Sequence, residues 1–179
     1  MRAATALRVG YLFNTETLLS LFSLLGVPSF LPTKERKTDT EELMNQGYAS
    51  RAADGRVIVE IELAFLIESL ALNLSCCQWE DGNDGCVTVC LSKDIWILCR
   101  KTQTGKWEIC PMQDESQAAD EIDKALQAVG DQAHFFCRYL QSKRPCNGKE
   151  CIELLKGLSV SPSEALGETE KSAVSPPRR

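Results

Sequence analysis

Residues 87–109, VTVCLSKDIWILCRKTQTGKWEI, constrain the fold more than any other stretch of the chain. Val87, Val89 and Leu91 alternate with Thr88 and Cys90, the period-2 pattern of a strand. Ser92, Lys93 and Asp94 supply a turn, and Ile95 to Cys99 is a second strand without a polar break. Thr102, Gln103, Thr104 and Gly105 make the next turn, its glycine free to take the positive φ that hairpins use, before a third strand from Trp107 to Cys110. Three strands alone bury too little to be stable, so this meander has to pack against the amphipathic segments on either side of it. The expectation is an α+β fold, a small antiparallel sheet packed against several helices.

The flanking segments fit that role. Asn14 is placed to cap a helix over residues 15–25, with Phe13 and Leu18 at hydrophobic-staple spacing. Leu18, Leu21, Phe22 and Leu25 form its apolar stripe, and Gly26 and Pro28 stop it. Leu7, Val9 and Tyr11 alternate before it as a short strand. Thr38 and Glu41 have capping-box spacing for a brief helix carrying Leu43 and Met44. Asp54-Gly55 signals a hairpin between Tyr48-Ala49-Ser50 and Val57-Ile58-Val59. Leu63, Leu66, Ile67, Leu70 and Leu74 then recur at helical intervals, with Glu60, Glu62 and Glu68 toward solvent. After the meander, Asp114 opens a helix with Ile122, Leu126 and Val129 on its buried face and Gly130 at its end. Asp131 is read as the cap of a further helix through Leu140, the two helices together covering one side of the sheet. Cys151, Ile152, Leu154 and Leu155 tie a last short segment to the body. Residues 1–156 are thus read as one domain, and residues 157–179, which hold three prolines and little apolar content, as a disordered tail.

Composition narrows the function classes. A chain of 179 residues that is 44% hydrophobic and 25% charged can build one sizeable core. Its formal charge of −5 disfavours nucleic acid, whose phosphates call for a concentrated cationic surface. Lys34, Arg36 and Lys37, interrupted by Glu35, read as a solvated loop. The apolar run over residues 18–31 is too short for a bilayer span and contains Gly26 and Pro28, so no membrane insertion is expected. Nine cysteines, an odd number, with no leader pattern before them, lead to the expectation of a reduced, cytoplasmic, soluble protein.

Chemistry-bearing motifs are sparse. Cys76, Cys77, Cys86 and Cys90 lack the spacing of zinc ligand pairs, and cysteines such as Cys90, Cys99, Cys110 and Cys137 read as small apolar fillers. The EDGNDG loop lacks the distal glutamate of a calcium site and reads as a turn. His134, the single histidine, lies three residues from Cys137; on one helix that pair lacks a separately anchored base and an orienting Asp or Asn. Neither a cofactor nor a metal is expected. The reading is a non-enzymatic protein-binding module. A structural or regulatory homodimer that uses an exposed meander edge is the alternative, and a cysteine-dependent enzyme built on Cys137 the third choice. The expected contact surface combines Asp81, Asn83 and Asp84 with the turn that carries Lys101 and Lys106, and takes Trp96 or Trp107 as an aromatic anchor.

The order of LLSLFSLLGVPSFLP, ELMNQGYASRAADGRVIVEIELAFLIESLA and a tryptophan-bearing meander resembles the EspG-type adaptors of bacterial type VII secretion. Leu43, Gly47, Asp54, Gly55, Leu63, Leu66, Trp96 and Gly105 carry the likeness, over residues 12–140. The resemblance implies a cytosolic chaperone that holds a secreted helical protein pair near its tip by a sheet and adjacent loops. The loop residues Asp81, Asn83 and Asp84 and the hairpin at residues 101–106 would then belong to the partner surface.

Overall fold

The computed structural model describes residues 10–31, 40–73, 75–82, 85–137 and 144–159. The readings for Leu7, Val9, the Lys34–Lys37 cluster, Thr38, Leu74, Asn83, Asp84, Tyr139, Leu140 and the tail from residue 160 lie outside them. The chain runs β1 (Tyr11–Phe13), α1 (Thr15–Leu25), α2 (Thr40–Asn45), β2 (Ala49–Arg51), β3 (Val57–Val59), α3 (Ile61–Leu72), β4 (Cys76–Glu80), β5 (Cys86–Ser92), β6 (Ile95–Lys101), β7 (Trp107–Met112), α4 (Glu115–Val129), β8 (His134–Cys137) and α5 (Gly148–Ser159).

The α+β expectation holds, with a larger sheet than the meander alone. Strands β5, β6 and β7 are the centre of a six-stranded sheet in the order β1-β7-β6-β5-β4-β8, with every pairing antiparallel. The β5–β6 connection is a two-residue turn in which Lys93 and Asp94 both have positive φ, 48° and 64°. This primed turn matches the strand twist, and the Lys93 ammonium lies 5.5 Å from the centre of the Phe65 ring. The β6–β7 turn puts Gly105 at φ 76°, and the Gly105 N–H donates to Thr102 O at 2.9 Å.

Helices cover both faces of this sheet. On one, Leu18, Leu21 and Phe22 of α1 and Leu63, Leu66, Ile67 and Leu70 of α3 share a core with Tyr11, Phe13, Ile97, Trp107 and Ile109. On the other, Ala118, Ile122 and Ala125 of α4 and Cys151, Ile152 and Leu155 of α5 pack on Trp79, Val87, Val89, Trp96, Leu98 and Met112. The alternation along β5 therefore separates two cores instead of core from solvent. Thr88 is fully buried, and so is Cys90, as expected of a small apolar filler. Small side chains at Cys76, Cys86, Thr88, Cys90 and Cys99 leave room for α3, which packs over β5 and β6.

Two readings are corrected. The EDGNDG stretch reads as a loop, yet its Glu80, with Trp79 before it, belongs to β4, paired with β5 from Cys76↔Cys90 to Glu80↔Cys86. Strand β4 has no β-branched residue to announce it; an unpaired β5 flank would expose a row of backbone donors and acceptors, and pairing satisfies them. The helix expected after Asp131 is instead β8, antiparallel to β4 through Cys77↔Cys137 and Glu80↔His134. Arg144 secures the turn before it by donating to the carbonyls of Gly130, Asp131 and Ala133 at 3.2, 2.6 and 2.9 Å. The second covering helix is α5, whose Asn147 side chain accepts from the Glu150 N–H at 2.9 Å as an N-cap does.

Helix α1 begins as its sequence indicates: Asn14 Oδ1 accepts from the Thr17 N–H at 2.7 Å, and the Asn14 amide also donates to the Glu42 carboxylate of α2. Replacing Asn14→Ala removes the cap and the link to α2 together. The expected cost is about 1–2 kcal/mol, read as a lower denaturant midpoint with an unchanged slope.

Candidate functional site

The two loops expected to meet a partner lie at one end of the sheet, the end reached by the β4–β5 and β6–β7 connections. There Asp81 and Gly85, the hairpin residues Lys101, Thr102 and Gly105, and Val129 at the end of α4 line a cleft of about 350 Å³. Asp81 Oδ1 accepts from the Gly85 N–H at 2.8 Å and so holds the β4–β5 turn in shape. Lys106 is exposed, whereas Lys101 is half-buried with its ammonium 5.8 Å from the Trp107 ring centre. Asn83 and Asp84 lie outside the described residues.

The expected aromatic anchor is corrected. Trp96 and Trp107 are both buried, on opposite faces of the sheet: Trp96 in the core under α4 and α5, Trp107 in the core under α1 and α3. The Trp107 indole N–H donates to Thr15 Oγ1 at 3.1 Å, which commits the ring to holding α1. Their strand parity decides this, since residues 96 and 107 take opposite sides of neighbouring antiparallel strands and each side has its own helical layer.

Arg100, which lines the cleft, belongs to an ion-pair chain. Arg100 bonds Glu108 of β7 at 2.8 Å and Glu121 of α4 at 3.1 Å, and Lys124 bonds Glu121 at 2.7 Å. The Lys124 ammonium, with Arg100 beside it, holds the Glu121 carboxyl below its ordinary value although partial burial opposes this. The chain ties α4 to the central strands and leaves Arg100 satisfied by protein carboxylates.

The cysteines do not assemble as a catalytic or zinc-binding group. Cys76, Cys86 and Cys90 face the α1/α3 core and Cys77 faces the α4/α5 core, so the sheet itself separates the four. Burial pushes the Cys86 thiol up to about 11 and the Cys110 thiol up to about 12, and holds Cys99 well above its ordinary value; these are protonated fillers at neutral pH. His134 and Cys137, three apart on a strand instead of a helix, point to opposite faces of β8. The meander edges themselves are paired, β5 with β4 and β7 with β1, so the outer strands of the sheet are β1 and β8.

Sequence reasoning missed the surface at the β2–β3 hairpin. The β2–β3 hairpin was expected, but not that Ile58 in the middle of β3 and Ile61 at the start of α3 would stand 52% and 86% exposed. They border a groove of about 250 Å³ with Tyr48, Ser50 and Glu60. The hairpin is held firmly beneath: Tyr48 packs against Tyr11 and Phe13 with ring centres 5.4 and 5.3 Å apart, and the Glu60 N–H donates to Tyr48 O at 2.8 Å. The available sign was the Ile58-Val59-Glu60-Ile61 run, of whose three apolar residues Val59 alone is buried. No family model, curated protein or solved structure matches the chain.

Glu121 sets a pH dependence. A carboxyl held below its unfolded value adds stability that is complete above that value, 4.5, and is lost as pH falls through the lower folded one. Glu121→Gln should therefore flatten this part of the acid limb when melting temperature is followed from neutral pH down to about pH 3, while the unmodified protein loses stability there.

Proposed function

We propose that this chain is a non-enzymatic protein-binding module, an adaptor or chaperone whose β2–β3 hairpin docks an amphipathic helix of another protein. The observation that carries the reading is the exposed pair Ile58 and Ile61 on a rigidly supported hairpin and helix start. One exposed isoleucine is ordinary on a protein surface, but two beside a groove form an anchor, each worth roughly 1.5–3 kcal/mol when removed from water. The groove is small, which suits apolar side chains presented at helical spacing better than a substrate that must be enclosed. The net charge of −5 favours a partner with a basic residue next to its apolar stripe.

The likeness to EspG-type adaptors supports the same reading and extends it to a cytoplasmic role in holding a secreted helical pair. In that extended form, Asp81 and the hairpin carrying Lys101 and Lys106 are a second, polar contact. Trp96 and Trp107 serve it as buried supports of those strands.

A photoreactive residue placed at Ser50 in the native cell identifies what lies over the groove, and titration of that purified protein then tests the contact. Ile58→Asp and Ile61→Asp should each weaken binding by about tenfold or more with little change in melting temperature, because neither side chain is in the core. Lys106→Glu, a charge reversal at an exposed turn, is expected to slow association and to act less at high salt. Full affinity in both folded isoleucine variants would reject the hairpin as the docking site.

A further inference from the structure

The thiol of Cys77 has a neighbour on each side. Cys137 of β8 is its direct antiparallel partner, and Cys151 of α5 belongs to the same buried cluster on that face of the sheet. Directly opposed residues of antiparallel strands have Cα atoms about 4.5–5.5 Å apart, inside the range of about 4.4–6.8 Å that a disulfide spans. A cysteine that merely fills space needs no such alignment. Cys77 and Cys151 are buried, while Cys137 is half-buried, on the last strand of the sheet.

We propose that Cys137 and Cys77 form a dithiol modification site that low-molecular-weight disulfides, of the glutathione disulfide class, convert to a cross-strand disulfide. In the first step the Cys137 sulfur attacks one sulfur of the small disulfide; the new S–S bond forms, the old one breaks, and one small thiol leaves with the Cys137 proton. In the second, the Cys77 sulfur attacks the Cys137 sulfur of that mixed disulfide, and a second small thiol leaves with the Cys77 proton. The protein loses two electrons and two protons, and the small disulfide takes up both as two thiols. The order follows from access and proton affinity. The Cys151 thiol beside Cys77, together with burial, raises Cys77 well above its ordinary value, so it is the poorer first nucleophile.

The sheet carries its own comparison. Cys76 and Cys90 are likewise direct cross-strand partners, but both are sealed in the α1/α3 core, and Cys146 is exposed ahead of α5. Accessibility therefore predicts that Cys76 and Cys90 stay reduced in the folded protein and that Cys146 gains only a small-molecule cap. A Cys77–Cys137 bond would pin β8 to β4, the one strand it pairs with.

The test is to treat the reduced, folded full-length chain with glutathione disulfide, block remaining thiols with an alkylating agent, and map the peptides. The expected result is a Cys77–Cys137 linked peptide, free thiols at Cys76 and Cys90, and a rise in melting temperature on the order of 5 °C that a reductant reverses. Cys137→Ser should abolish oxidation of Cys77, and Cys146→Ser should leave it intact. A Cys77 that stays a free thiol while Cys137 carries only glutathione overturns the proposal. So does a Cys77–Cys151 bond in place of the predicted one, or oxidation of Cys77 that persists in a folded Cys137→Ser protein.

Discussion

Burial of both faces of one antiparallel sheet is the constraint on which the rest of this structure depends. An antiparallel sheet commonly leaves one face to water. Here β5 and β6 have helices on both sides, and the alternating side chains of each strand divide between two cores. That division requires residues that pack under a helix without pushing it away, and the cysteines and Thr88 supply them on the α1/α3 side. Among the described residues it also leaves no broad sheet face for a ligand. Clefts lie instead at the loops of the sheet end, between α4 and residues 144–147, and at the β2–β3 hairpin.

The hairpin shows how the core supports such a surface. Tyr11 and Phe13 of β1 are fully buried in the same cluster as α1 and α3, and Tyr48 rests on both rings. An aromatic contact of this kind contributes about 0.5–1.5 kcal/mol beyond its area, enough to hold a three-residue strand pair in one orientation. Ile58 and Ile61 consequently stay where water meets them instead of folding back onto the body. The cleft at the sheet end has a different character, because Arg100 in its lining is already paired with Glu108 and Glu121. A pre-satisfied ion-pair chain resists a ligand that must break it, whereas exposed apolar side chains gain by being covered.

Much of the fold was legible in local sequence. The meander, the Asn14 cap, the Gly26 stop, the Asp54-Gly55 hairpin and the Asp114–Gly130 helix all stand where turn and capping chemistry put them. Strands β4 and β8 were not legible. CCQWE and HFFC lack the periodic signature of strands, and they extend because they pair with each other and with β5, across gaps in sequence that a local pattern does not span. Within the candidate surfaces, the exposed turn at Lys106 could be read, but the burial of Trp96 and Trp107 could not. Indole exposure depends on which helical layer lies over each strand face.

By itself the sequence determined the elements whose causes are local: positive-φ glycines, side-chain caps and apolar stripes act within a few residues and need no partner to be recognised. Only the tertiary structure decided which strands adjoin, that both sheet faces are covered, that Cys77 stands opposite Cys137, and that Ile58 and Ile61 remain outside. These are consequences of burial and of backbone hydrogen bonding between distant segments, and such interactions acquire a sign only when the whole chain has closed around its two cores.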